Sequence, residues 1–328
     1  MTDKKLSVKE KVLRALAEGS GSPVSGEALA SKLGVTRAAV WKAVKALRES
    51  GYPIESGTNR GYTLTSGADI LTGEAVSALM REDIPVYYFD KVGSTNEKAK
   101  EIVIGEGAET GLVVADCQTA GKGRLGRTFV SPAGSGIYMS LISQPDFDLS
   151  RSVLVTTAAA VAVCKALEDL YDLRPQIKWV NDVYLDGKKI TGILTEALTD
   201  FESGQIERII VGIGINCFEN SAAKDASDAY GFIGGNISRA RIAAKVIDYF
   251  APMLRDLDSR EFIDDYRKRC LVTGKDVLVY KAGTLGRPDA RPLRARAVGI
   301  DDNGGLIIEH DGRRESLTSG EVSVRPAE

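Results

Sequence analysis

Seven residues, Gly121-Lys122-Gly123-Arg124-Leu125-Gly126-Arg127, constrain this chain more than any other stretch. Three glycines alternate with three cationic side chains, shortly after the apolar run Leu112 to Ala115, which reads as a buried strand. Glycine admits positive φ and lets a backbone come close to a ligand, while Lys and Arg offer charge-assisted donors to phosphate or carboxylate. The loop is therefore expected to hold an anion. No Gly-Lys-Ser/Thr follows at Walker spacing and no Gly-x-Gly-x-x-Gly opens a helix, so neither common phosphate motif applies. The competing reading of the same composition is a mobile basic surface loop.

The 328 residues leave room for two or three domains at about 150 residues each. A net charge of -2 argues against a chain that coats nucleic acid globally, and leaves local basic patches open. Cys117, Cys164, Cys217 and Cys270 are widely spaced with no CxxC pair, as expected of reduced buried thiols. The single histidine, His310, adjoins the turn residues Asp311-Gly312, which argues against a His-based triad or a zinc site. The N-terminus lacks the apolar core of a secretory signal, and no apolar run approaches the roughly 20 residues of a membrane helix. A cytoplasmic protein without a membrane partner is expected.

Along the chain, Val8, Val12, Leu13 and Leu16 line one side of a helix over residues 7–18. Ser25 is placed to cap a second helix, 26–33, and Gly34-Val35 to make a tight turn. Thr36 then caps a third helix, running to about Glu49, with Val40, Val44 and Leu47 inward and Arg37, Lys42, Lys45 and Arg48 outward. Two short strands, 53–55 and 61–64, flank a turn at 56–60. Together these elements spell a winged helix-turn-helix. Thr36, Arg37, Ala38 and Lys42 are expected toward a major groove, with Lys45, Arg48 and Arg60 on phosphates. A three-helix packing module with solvated lysines is the plainer alternative.

Residues 66–69 read as a linker, and a short helix follows from Thr72 to about Met80. After the strand 86–89, Ser94 and Glu97 fit a capping box for a helix through Ile104. Further strands are expected at 137–142, 176–179, 183–185, 188–196 and 206–215, and helices at 153–170, 239–256 and 261–269. From Lys275 on, short alternating runs between Gly-rich turns predict a small all-β barrel. The fold class is α+β: winged helix-turn-helix over 1–65, linker with short helix over 66–83, central α/β domain with a mixed sheet over 84–271, and SH3-like β-barrel over 272–328.

A hairpin turn at Asp186-Gly187 brings Lys178, Asn181 and Lys189 toward one surface. Gly212-Ile213-Gly214-Ile215-Asn216 permits a close backbone approach nearby, so these pieces describe a cationic pocket in a mildly acidic chain. Ser94-Thr95-Asn96, the Gly121-to-Arg127 loop, Lys178-Trp179-x-Asn181-Asp182, Lys189-x-x-Gly192-Ile193-Leu194 and Gly212-x-Gly214-Ile215-Asn216 follow in this order. In this series the chain resembles the family of bifunctional biotin protein ligases and biotin operon repressors, over nearly its full length.

The resemblance implies a ligase domain that makes biotinoyl-AMP from biotin and ATP and transfers biotin to a lysine of the biotin carboxyl carrier protein of acetyl-CoA carboxylase. Biotin then serves as substrate and, as its adenylate, as corepressor. The remaining implied partners are Mg2+, operator DNA of biotin genes and a ligand-promoted homodimer. By similarity, Ser94, Thr95, Asn96 and Gln118 meet biotin, with Gly121, Lys122, Gly123, Gly192, Leu194 and Gly214 around it. Arg124 and Lys189 lie between biotin carboxylate and α-phosphate and are the catalytic pair. Arg127, Phe129, Lys178 and Asn181 serve the nucleotide together with that pair, Phe129 by stacking, and Asp182 is a metal contact. Electrostatics and positioning suffice for such a step without a protein nucleophile.

Two departures stand out. Val180 occupies the usual proline position between Trp179 and Asn181, which removes a fixed φ. Lys122 and Leu125 replace arginines of the best-known repressor type, which predicts a less firmly ordered loop. Two alternatives remain at this point: a transcription factor whose former enzyme domain only senses a ligand, and a lipoate or other acyl-group ligase.

Overall fold

The computed structural model describes residues 6–19, 21–57, 61–65, 69–145, 147, 151–199, 206–226, 229–280, 291–318 and 321–324. The first three helices are α1 (Val8–Glu18), α2 (Gly26–Leu33) and α3 (Arg37–Glu49). Each begins at a hydroxyl that satisfies an orphan backbone donor: Ser7, Ser25 and Thr36 accept from Glu10, Ala28 and Ala39. Gly34 ends α2 at φ 65°, a left-handed conformation that suits a residue without Cβ. Leu16, Leu29, Val40, Val44 and Leu47 close the core between these helices. The wing is β1 (Ile54–Gly57) antiparallel to β2 (Gly61–Leu64). Its turn residue Arg60 lies outside the described residues.

The winged helix is docked rather than tethered. Arg14 donates to the carbonyls of Ala78 and Met80 at the end of α4 (Gly73–Leu79), and Lys9 pairs with Glu74 at 2.7 Å. Of the expected linker, 66–68 lie outside the described residues, while Asp69 is fixed by Arg239.

The central sheet has seven strands in the order β3-β4-β5-β9-β8-β7-β6. They are β3 (Val86–Phe89), β4 (Gly111–Ala115), β5 (Gly136–Ser143), β6 (Gln176–Lys178), β7 (Asp182–Leu185), β8 (Lys188–Thr199) and β9 (Ile206–Asn216). Only β3 and β4 run parallel, because α5 (Thr95–Glu106) crosses between them. The two faces differ. Leu112, Val114, Met139, Val211 and Ile213 join the main core with α6 (Ser152–Tyr171) and α8 (Arg239–Arg255), whereas Val113, Ile142 and Ile210 pack on Ala99, Ile102 and Val103 of α5. By the two-residue strand period, Gly212 and Gly214 continue the α5 side of β9 beyond Ile210. That face therefore passes from packed to open, and the opening is the site.

Two further helices, α7 (Ser221–Ala226) and α9 (Glu261–Arg269), precede a five-stranded antiparallel sheet in the order β13-β12-β11-β10-β14. Its strands are β10 (Asp276–Tyr280), β11 (Leu293–Ile300), β12 (Leu306–His310), β13 (Arg313–Leu317) and β14 (Glu321–Val324). The sequence pattern gave no warning of α7, too short for helical periodicity, or of β13, whose Arg-Arg-Glu-Ser run is exposed and lacks an apolar alternation. The C-terminal unit reaches back to the site: buried Trp179 donates through Nε1 to Gly304 O at 3.0 Å. No helix among the described residues is long and apolar enough to cross a membrane.

Candidate active site and DNA-facing helix

The glycine-basic segment is a hairpin closed by its own backbone. Phe129 N donates to Gly121 O at 2.9 Å and Gly123 N to Arg127 O at 2.7 Å, leaving Arg124-Leu125-Gly126 as the tip. Leu125 at φ 58° and Gly126 at φ 75° turn that tip. Gly121 is needed for closure, since a Cβ there would stand 2.3 Å from Phe129 O. The hairpin borders a cavity of about 670 Å3 floored by β8 and β9.

The cavity has a cationic end and a polar end. Arg124, Arg127, Lys178 and Lys189, four cations from three separate stretches of sequence, all line it, with Asn181 and Asp182 beside them. Arg124 donates to Asn181 Oδ1 at 3.0 Å, and Asn181 in turn donates to Ile193 O at 3.0 Å. Lys189 Nζ sits 2.7 Å from Asp182 Oδ1, and Lys178 lies 5.9 Å from the Tyr184 ring centroid. Burial pushes the Tyr184 hydroxyl up to about 12, so it stays protonated beside these cations. The Trp179–Val180 peptide preceding Asn181 is cis.

The polar end is built on the N-terminus of α5. Thr95 N and Oγ1 both donate to Gln118 Oε1, at 2.8 and 3.1 Å, and Gln118 Nε2 donates to Ser131 Oγ at 2.8 Å. Ser140 Oγ contacts Thr95 Oγ1 at 2.8 Å and Asn96 Oδ1 at 2.6 Å, and Asn96 Nδ2 reaches Glu196 at 2.7 Å. All of Ser94, Thr95, Asn96 and Ser140 are buried, so this network fixes rotamers as well as satisfying donors. The capping box expected at Ser94 and Glu97 is absent: Ser94 makes no side-chain cap. Glu97 is drawn away instead by Lys122 at 2.7 Å and Lys100 at 2.9 Å, in that order the causes that hold its carboxyl below the usual range. Lys122 is thus tied to α5 at the cavity's edge.

Glycines clear the cavity floor. The Phe129 ring lies over Gly192 and Gly214, where a Cβ would come within 3.2 and 2.5 Å of it, and a Cβ on Gly212 would strike Asn96 Oδ1 at 2.3 Å. Phe129 also meets Tyr138 edge to face. Of the residues named from the sequence for biotin and ATP, all but Gly121 line this one cavity; Gly121 stands behind it as the hairpin's closure.

Sequence reasoning missed the supports: Ser131, Ser140, Glu196 and the buried Arg239. The Arg239 guanidinium pairs with Asp69 and, at 2.6 Å, with Asp116, two residues before Gln118, and donates to Gly136 O at 3.0 Å. Lone serines and acids carry no pattern, and only the tertiary fold brings them together.

On the winged helix, Arg37, Ala38, Lys42 and Lys45 are exposed along α3, as expected for a groove-facing helix. Thr36 is occupied as the cap, and Arg48 donates through Nε to Ile54 O at 2.7 Å, bracing the wing.

A cavity with a cationic end and a polar end, on a chain that also carries a winged helix, fits a nucleotide-dependent acyl-group ligase joined to a DNA-binding module. Family models agree: the biotin/lipoate A/B protein ligase family matches residues 88–216, an HTH domain 8–63 and the biotin protein ligase C-terminal domain 284–325. The bifunctional ligase/repressor BirA of Bacillus subtilis (strain 168) is 30% identical over 330 residues, covering 97% of this chain and 99% of that protein. BirA of Escherichia coli (strain K12) is 29% identical over 322 residues, covering 97% of each. Among solved structures, the Aquifex aeolicus biotin protein ligase in complex with biotin and ATP superposes with a TM-score of 0.61 at 28% identity, over 74% of this chain and 99% of that one. The chain belongs to the biotin/lipoate A/B protein ligase family, in its bifunctional ligase/repressor form.

Proposed function

We propose that the cavity joins biotin to ATP and then passes biotin to a lysine of a carrier protein. In the first step a biotin carboxylate oxygen attacks the α-phosphorus, the bond to the β-phosphate oxygen breaks and pyrophosphate leaves. In the second, a carrier lysine amine attacks the acyl carbon, an amide forms as the amine gives up a proton, and AMP departs. Two anions must meet in the first step, so the difficulty is electrostatic, and preorganised cations suit it without a protein nucleophile. The observation that carries the reading is the convergence of Arg124, Lys178 and Lys189 on one cavity whose other end is a buried hydrogen-bonding network.

In this reading Thr95 and Gln118 face the biotin head over the floor cleared by Gly192 and Gly214. Arg124 and Lys189 bridge carboxylate and α-phosphate, and Lys178 and Arg127 serve the other phosphates. Phe129 lifts from its glycines to stack on the nucleotide. Magnesium fits poorly as a protein-held ion: no group of three acid, His or Cys ligands occurs among the described residues, and Asp182 is paired with Lys189. It would arrive on ATP phosphates, with Asp182 at most a single contact. In the cytoplasm, adenylate binding would favour a homodimer and let paired winged helices occupy operator DNA of biotin genes.

Incubation with ATP, labelled biotin and the carrier domain of acetyl-CoA carboxylase tests the reading. Label fixed to the carrier through a base-stable amide is expected. Ligand-dependent DNA binding without any transfer would instead favour a sensor.

A further inference from the structure

Five large apolar side chains are exposed among the described residues, and Trp41, at 56% exposure, is the one on α3. The helix buries Val40, Ala43, Val44 and Leu47, which turns the opposite stripe to solvent. Arg37, Trp41 and Lys45 follow one another along that stripe at four-residue spacing, flanked by Ala38 and Lys42. Lys45 Nζ lies 5.8 Å from the indole centroid. The acids within reach are distant partners, Glu27 at 3.5 Å from Arg37 and Glu49 at 3.9 Å from Lys45.

We propose that Trp41 reads sequence: with α3 in a major groove, its indole rests on the C5-methyl group of a thymine in each half-site. The proposal rests on the DNA-binding role given above to this helix and adds a specific reader to it. An isolated exposed apolar residue needs no explanation by itself, and Ile104, 80% exposed on α5, is such a case. Trp41 differs in its surroundings. Cations on both sides draw a polyanion onto the ring, whereas an apolar partner chain would have to strip water from those charges.

A phosphate contact from Lys45 positions the helix but carries no base information. The major groove offers one apolar marker, the thymine methyl, and a flat indole at the centre of the reading stripe matches it. The small Ala38 beside it leaves the ring room to reach the base edges.

The test uses the full chain with biotin and ATP. A motif is first selected from a randomised duplex DNA pool, and each thymine of that motif is then replaced by uracil, which deletes only the methyl group. At one position per half-site, uracil is expected to weaken wild-type binding about fourfold, the worth of one buried methyl. The same replacement should leave Trp41→Ala unchanged, with Trp41→Phe in between. Equal uracil penalties in wild type and Trp41→Ala would overturn the proposal. So would a Trp41→Ala that weakens all duplexes alike and lowers the salt dependence, the signature of a phosphate contact.

An independent readout comes from fluorescence. The chain has two tryptophans, and Trp179 is only 4% exposed, so acrylamide quenching in solution reports Trp41. The selected duplex should shield it, and undiminished quenching would count against the contact. Both variants should melt with wild type, because the indole contributes no core. If wild type enriches no motif at all, the DNA-binding reading itself fails and this proposal falls with it.

Discussion

The ligase pocket and the reading face of α3 use opposite physics. In the pocket, Thr95, Asn96 and Ser140 are buried and share partners, so each side chain is held by others and few substitutions act alone. On α3, Arg37, Lys42 and Lys45 stand in water, and the ion pairs of Arg37 and Lys45 are long at 3.5 and 3.9 Å, so each cation is expected to act for itself. The contrast teaches that a site which makes a reactive anhydride needs enclosure, while one that scans a polyanion needs access.

The sharpest way to break this comparison is Lys189→Ala. It should lower biotinoyl-AMP synthesis by about 100- to 1,000-fold, as loss of one preorganised transition-state donor does, with the fold retained. Pyrophosphate release measures it, and near-normal turnover would remove Lys189 from the chemistry.

Next in size is Arg239→Ala. It strands Asp69 and Asp116 in a buried site, and should lower unfolding stability by about 3 kcal/mol in denaturant titration. An unchanged midpoint would mean that water replaces the guanidinium.

A third test compares the regions directly. Thr95→Ala and Ser140→Ala should be strongly non-additive in biotin affinity, because they share one hydrogen bond. Arg37→Ala and Lys45→Ala should add in DNA affinity, and Lys45→Ala, which removes the phosphate-directed charge, should reduce the salt slope by about one. Additivity in both places would erase the distinction.

The smallest effect expected is that of Glu97→Gln, which loosens Lys122 from α5. Its pair is half exposed, so less than about 1 kcal/mol is at stake. Glu97 is held below its ordinary value of 4.5, so its contribution is present above that pH and is lost as pH falls through the lowered value. Hydrogen exchange of the hairpin should therefore match between wild type and Glu97→Gln in strong acid and differ at neutral pH.

Much of this was legible in the sequence where a local rule acts on neighbouring residues. The caps at Ser25 and Thr36, the Gly34 turn and the strand alternation around Gly212 and Gly214 each follow from short-range geometry. The motifs named the cations, and the sheet order brought them to one cavity. What escaped depends on which of several competing partners a side chain finds in the folded chain. Glu97 fits a cap by spacing, yet Lys100 and Lys122 outcompete the backbone donor. Arg48 is exposed as periodicity expects, but its hydrogen bond to the wing's Ile54 carbonyl has no sequence signal. Ser140 and Arg239 have no neighbours in sequence that announce their partners.

The central claim is that one cavity brings a carboxylate and a nucleotide into reaction. The most direct test is exchange of labelled pyrophosphate into ATP, measured with and without biotin in wild type and in Arg124→Ala. Exchange that requires biotin and collapses in the variant is the predicted result. Exchange that proceeds without biotin, or at the wild-type rate in Arg124→Ala, would contradict it.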